Sequence, residues 1–133
     1  MDRADAEQAY VQAELEGKPT WIRLPPEARP RSWDKIADPV VRLDLALYGH
    51  PDAGGYWERH CDKQLRKEGF TSIKSLEGDL DAMWRSCYWH KELELLLIVY
   101  VDDFKLAGPS KNLAAGWLKI RKNIVTDTPR LGL

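Results

Sequence analysis

The sequence predicts a single mixed α+β domain, and three stretches carry that prediction. Leu95-Leu96-Leu97-Ile98-Val99-Tyr100-Val101 is an unbroken apolar run that closes on two adjacent acids, Asp102-Asp103. A run of this length, β-branched and aromatic toward its end, reads as a strand buried on both faces. Trp57, Cys61 and Leu65 recur at four-residue spacing within 56–67, and Leu113, Trp117, Ile120 and Ile124 share one side of 111–124. Both patterns are the apolar stripe of a helix that faces a core. With 133 residues, 44% of them hydrophobic, the chain suffices for one core and is too short for two.

Taken in order, Glu7 to Leu15 is rich in helix formers and is stopped by Gly17, so Asp5 sits just before a short helix or turn. Read from these residues alone, Asp5 is an N-cap. Thr20 to Leu24 reads as a short strand ended by Pro25-Pro26, and 27–38 as irregular surface loop. From Val40 to Tyr48 the chain alternates: Val41, Leu43, Leu45 and Leu47 share one face, Arg42 and Asp44 the other. That is a half-buried strand. His50 to Gly55 is a tight glycine-containing connection into the helix of Trp57, which Gly69 ends before Phe70 packs back. Thr71–Leu76 and Met83–Trp89 read as short strands around a polar turn at 77–81, and His90-Lys91-Glu92 turns the chain into the central run. Phe104 to Pro109 is a return strand with a Gly-Pro stop, which puts Asp102-Asp103 at a hairpin tip. Ser110 caps the last helix, and 125–133 is a tail or the start of a further element.

The acids of the hairpin hold the chemical interest. Burying two carboxylates at a strand end is costly without a cation to receive them, and no Lys or Arg lies within the run. A bound metal is one answer; an ordinary acidic turn is the other. Cys61 and Cys87, with His60 and His90 near them, lack a paired zinc spacing. The net charge is −1 and the isoelectric point about 6.3, so no basic footprint announces a polyanionic partner. No charged-then-apolar leader is present, and the longest apolar run is far below the roughly 18 residues that span a bilayer.

Asp5-x-x-x-Ala9-Tyr10, then Leu47-Tyr48-Gly49 ahead of the helix with Trp57, then Gly69-Phe70, then Tyr100-Val101-Asp102-Asp103 with Ala107-Gly108 behind it, together resemble the reverse transcriptase of copia-type LTR retrotransposons (Pseudoviridae). The four letters Tyr-Val-Asp-Asp are weak alone; in fixed order with the others they are specific. The resemblance spans nearly all of 1–124. It implies a polymerase palm, an antiparallel sheet with helices packed on one face, and an RNA-directed DNA polymerase that transfers a nucleotide from a dNTP to a primer 3′-hydroxyl. It implies Asp5, Asp102 and Asp103 as catalytic acids holding two Mg²⁺ ions, with Mn²⁺ as a substitute, and nucleotide contacts at Ala6, Tyr10 and Asp52. Tyr10 matches the position whose ring excludes a ribose 2′-hydroxyl. Oxygen-only ligands suit a hard octahedral cation, and two such ions stabilise attacking and leaving oxygens.

The implied partners are an RNA or DNA template with its primer, dNTP, and the fingers, thumb and ribonuclease H of a polyprotein, in the cytoplasm within a virus-like particle, with no membrane. Fingers and thumb have no counterpart in 1–133, so the sequence is expected to be a truncated palm, inactive alone, with 125–133 as its tail. The weak charge agrees with a partial polymerase. One departure bears on the site: Asp52 stands where the family keeps an amide, and a carboxylate beside a triphosphate repels it. The alternative expectation, from another class, is a non-catalytic palm remnant that binds nucleic acid or a protein.

Overall fold

The computed structural model describes residues 1–73 and 86–132. The turn expected at 77–81 and the neighbouring ends of its two strands lie outside them. The described strands are β1 (Asp2–Asp5), β2 (Trp21–Ile22), β3 (Val41–Arg42), β4 (Phe70–Ser72), β5 (Cys87–His90), β6 (Leu95–Tyr100), β7 (Asp103–Ala107) and β8 (Arg130–Leu131); the helices are α1 (Ala53–Lys67) and α2 (Ser110–Arg121). Six strands make one antiparallel sheet in the order β4-β5-β6-β7-β1-β8, and β2 and β3 pair separately. The α+β class expected from the sequence is therefore present.

Both helices lie on one face of the sheet. Ala4, Phe104, Leu106, Leu95, Leu97, Val99, Tyr88 and Phe70 turn to that face and meet Trp57, Cys61 and Leu65 of α1 and Leu113, Trp117, Ile120 and Ile124 of and just beyond α2. These are the two stripes expected from the sequence. Gly116 lets α2 approach the sheet, because a Cβ there would lie 2.9 Å from Leu106 Cδ2 and closer still to Leu95 Cδ1. His90 is buried but fully paired: Nδ1 accepts from the Leu93 N–H, and Nε2 reaches the Glu68 carbonyl at 3.1 Å.

Among the described residues nothing covers the other face of the sheet, which corrects the expectation that β6 is buried on both sides. Ile98 is 41% and Tyr100 77% exposed. The described helices, α1 and α2, cover one face, and a run that is apolar at every position offers no alternation from which the uncovered face can be read.

Four more expectations change. Val40–Tyr48 is strand only at Val41–Arg42, because the antiparallel register carries its continuation back past Thr20 to Pro19, which supplies no N–H, and to Gly17 at φ 84, so that beyond the Leu43–Thr20 hydrogen bond only an isolated bridge from Leu45 to Glu14 remains. Leu45 and Leu47 are exposed, and the buried side chain there is Ala46. The helix expected over 7–15 is a single 3₁₀ turn, Ala9–Gln12, preceded by Gln8 in the left-handed region at φ 49. α1 begins at Ala53, so Gly54-Gly55 belong to the helix and not to its approach. Ser110 is the first residue of α2, behind Pro109, and makes no side-chain cap.

A candidate acidic site at the hairpin tip

Asp5 ends β1 and Asp103 begins β7, and the antiparallel register sets them directly opposite each other. An N-cap role for Asp5 is thereby excluded, since its residue is in a strand. Asp102 occupies the turn between β6 and β7, and its carbonyl accepts the Ala6 N–H at 2.7 Å. The chain leaving β1 is thus bonded to the turn that carries the acids. Residues from opposite ends of the sequence meet because β1 inserts between β7 and β8.

The turn is held in an unusual backbone. Val101 has φ 55, a left-handed value that costs an L-residue about 1–2 kcal/mol and is least comfortable for a β-branched one. Its carbonyl receives the indole N–H of Trp57 at 2.6 Å. A core tryptophan on α1 therefore fixes the turn that displays Asp102.

The electrostatics of Asp5 follow from its neighbours. A hydrogen bond shared with Asp103 raises its carboxyl above the ordinary carboxylate value; desolvation and the charges of Asp103 and Asp127 add to this, and Arg130 opposes it. The Arg130 guanidinium lies 2.8 Å from Asp5 Oδ2 and 3.5 Å from Asp127 Oδ2. Asp127 is bound reciprocally to Asp5, taking its N–H on Oδ1 at 2.8 Å and giving its own N–H to the Asp5 carbonyl at 2.9 Å. Asp5 thus has the basic partner that the hairpin sequence lacks.

Of the other residues expected at the site, Ala6 turns its methyl into the core. Tyr10 is half-buried, its ring 4.4 Å from that of Tyr48, so residues of two separate sequence motifs touch. Asp52 is exposed immediately before α1, its N–H on His50 Nδ1 and its carbonyl on the Tyr56 N–H. The structure brings the carboxylates of Asp5 and Asp103 together and bonds the Asp102 backbone to Ala6 while the Asp102 residue is exposed, sets Tyr10 against Tyr48, and puts Asp52 at a helix start. Asp127, Arg130 and the Trp57 N–H were missed from sequence. Opposite charges three residues apart in the tail were the sole trace of the first two.

Rows of residues cross the open face in register. Arg130, Arg3 and Lys105 stand side by side on β8, β1 and β7, all exposed, and continue into Ile98 on β6. The next row holds Asp5, Asp103 and Tyr100. Like charges opposite one another are unfavourable unless an anion lies over them. A separate recess of about 360 Å³ opens between α1 and the β5–β6 strands, lined by Trp57, Cys61, Asp62, Arg66, Tyr88 and Val99 among others. Burial pushes the Cys61 thiol up to about 12, so it is a packing group and not a nucleophile.

The site as it stands suits a hard cation in ligand type, since it offers carboxylate oxygens, and two of them are close enough to share a proton. Among the described residues, no three His, Cys, Asp or Glu side chains are arranged to hold a metal ion. Arg130 supplies the positive charge instead. No helix of the described residues is long and apolar enough to cross a membrane. No protein-family model, curated protein or solved structure matches the chain.

Proposed function

We propose that the chain forms the palm of a copia-type reverse transcriptase and that Asp5, Asp102 and Asp103 serve nucleotidyl transfer to a primer 3′-hydroxyl. The observation that carries the reading is the juxtaposition of Asp5 with the Asp102-Asp103 hairpin across the β1–β7 pair. Acids at opposite ends of a sequence have no local reason to meet, and the repulsion between them is a cost unless function requires it. The basic row of Arg3, Lys105 and Arg130 beside them supports the same reading, because it offers phosphates a seat next to the acids.

Mg²⁺, when bound, stabilises the charge that builds on the attacking and leaving oxygens. The work of the chain's own residues is positional. Asp5, Asp102 and Asp103 present oxygens from paired strands and a turn; the Ala6–Asp102 and Trp57–Val101 hydrogen bonds hold that turn at a fixed height. Tyr10, backed by Tyr48, is the residue proposed to lie under the sugar.

The test is primer extension by this chain joined to the fingers and thumb of a copia-type polymerase. Template-dependent dNTP incorporation that Asp5→Asn and Asp102→Asn abolish supports the assignment. Incorporation that survives both changes overturns it. A chain that incorporates nothing but retains template–primer through Arg3 and Lys105 is the binding remnant, the second reading, which the pairing of Asp5 with Arg130 favours.

A further inference from the structure

The contact between Arg130 and Asp5 is built, not incidental. Gln12 donates its side-chain amide to the Val125 carbonyl at 2.9 Å and accepts the Val125 N–H at 2.8 Å, so residue 125 is pinned to the 3₁₀ turn. Thr126 bridges Ala6, Asp127 exchanges two hydrogen bonds with Asp5, and β8 then pairs with β1. Each step fixes backbone. The guanidinium at the end of this series reaches diagonally from its place opposite Arg3 to the Asp5 carboxylate. Arg130 and Asp5 are each about half exposed, at 54% and 47%, so the side chain has room to leave.

We propose that Arg130 is an internal counter-ion that occupies the cation position at the Asp5–Asp103 pair and must swing away for a divalent ion to bind there. The proposal rests on the reading of these acids as metal ligands. Two features of the fold lead to it. Among the described residues the acids cluster without forming a metal-ready trio, and the cation that touches Asp5, Arg130, is carried by a segment that the fold anchors at several points. Arg130 also has a second seat, since Arg3 and Lys105 lie in its own row and an anion held there draws the guanidinium off the acid. An anion on the basic row and a divalent cation on the acids therefore favour each other, beyond their direct attraction.

The experiment is a titration of the full chain with Mn²⁺ alone at low ionic strength, read by electron paramagnetic resonance of the free ion. Arg130→Gln is expected to bind about fivefold more tightly than the unchanged protein, the scale of one exposed unit charge at contact distance. Arg130→Lys should stay close to the parent, and Arg23→Gln, which alters an exposed arginine paired with Asp38, should change nothing. Equal affinity in the parent and Arg130→Gln, with binding still lost in Asp5→Asn, overturns the counter-ion and spares the metal reading. Absence of Asp5-dependent binding in every protein overturns both. A measurement on the unchanged chain guards against a misfolded variant: the Arg130 Nε–H resonance should shift in step with added Mg²⁺, and an unmoved resonance at saturation also overturns the proposal.

Discussion

Trp57→Phe and Trp117→Phe make the same chemical change at two buried tryptophans, and the structure predicts that they differ in cost. Both indoles are nearly inaccessible, at 2% and 4% exposure, and both sit in the helix stripe that covers the sheet. Trp57 donates its N–H to Val101 at 2.6 Å; Trp117 Nε1 is buried with no hydrogen-bond partner among the described residues. Replacing indole by phenyl removes roughly 40 Å² of buried apolar surface in either case, about 1 kcal/mol. At Trp57 the lost hydrogen bond adds about 1 kcal/mol and the residual gap somewhat more, for a total of about 2–3 kcal/mol. At Trp117 the substitution also removes an unsatisfied donor whose burial costs about 1–3 kcal/mol, so the sum lies within about 1 kcal/mol of zero. The difference of about 2 kcal/mol corresponds to several degrees in Tm for a chain of this size. Urea unfolding followed by far-ultraviolet circular dichroism measures it without relying on tryptophan emission. If Trp57→Phe is no more destabilising than Trp117→Phe, the bond to the turn contributes nothing and Trp57 does not position the acids.

Three further predictions concern the turn, the helix seat and the acid limb of stability. Val101→Gly relieves a left-handed φ worth about 1–2 kcal/mol and loses about 0.5–1 kcal/mol to chain entropy, so unfolding stability should hold or rise slightly; a loss above about 1 kcal/mol counts against the strain. Gly116→Ala drives a methyl into Leu95 and Leu106 and should cost about 1–3 kcal/mol in spite of better helix propensity; a stabilised variant means that α2 is seated elsewhere. Glu68 is held below its usual value of 4.5 first by its hydrogen bond from Lys122. A lowered folded-state pKa adds stability above about pH 4.5 that disappears as pH falls through it. Glu68→Gln should therefore lose up to about 1 kcal/mol at pH 7, and that loss should shrink as pH falls from about 4.5 through the lowered folded-state value; a gap independent of pH refutes the ion pair.

What was legible in the sequence was whatever repeats with a period that only one structure satisfies. The stripes of Trp57, Cys61 and Leu65 and of Leu113, Trp117 and Ile120 are such repeats, and all six side chains are buried. The hairpin was legible because a glycine-proline stop follows the acids. The segment 40–48 also had a period, yet a strand needs a continuous partner with free N–H groups as well as an apolar face, and beyond Thr20 that partner runs into Pro19 and into Gly17 at φ 84. β8 lies where the sequence offered only a tail or the start of a further element. Two residues carry no periodicity, and what fixes them is Gln12 and Asp127 acting across the length of the chain.

That distinction explains why half of the site was readable. Asp102 and Asp103 declare themselves by an apolar run that ends in charge, a local conflict any folded chain must resolve. Their resolution is not local. Asp103 meets Asp5 because β1 pairs with β7, and Asp5 meets Arg130 because β8 pairs with β1 on its other edge. β1 is therefore the strand through which the tail reaches the hairpin: Ala4 anchors it in the core, Arg3 and Asp5 face outward with the two rows of charge, and its last N–H is capped by Asp127. A change at Asp127 touches neither hairpin acid, yet it releases the end of β1 and the guanidinium beside it together. The acids are consequently set by contacts whose residues the motif itself does not contain.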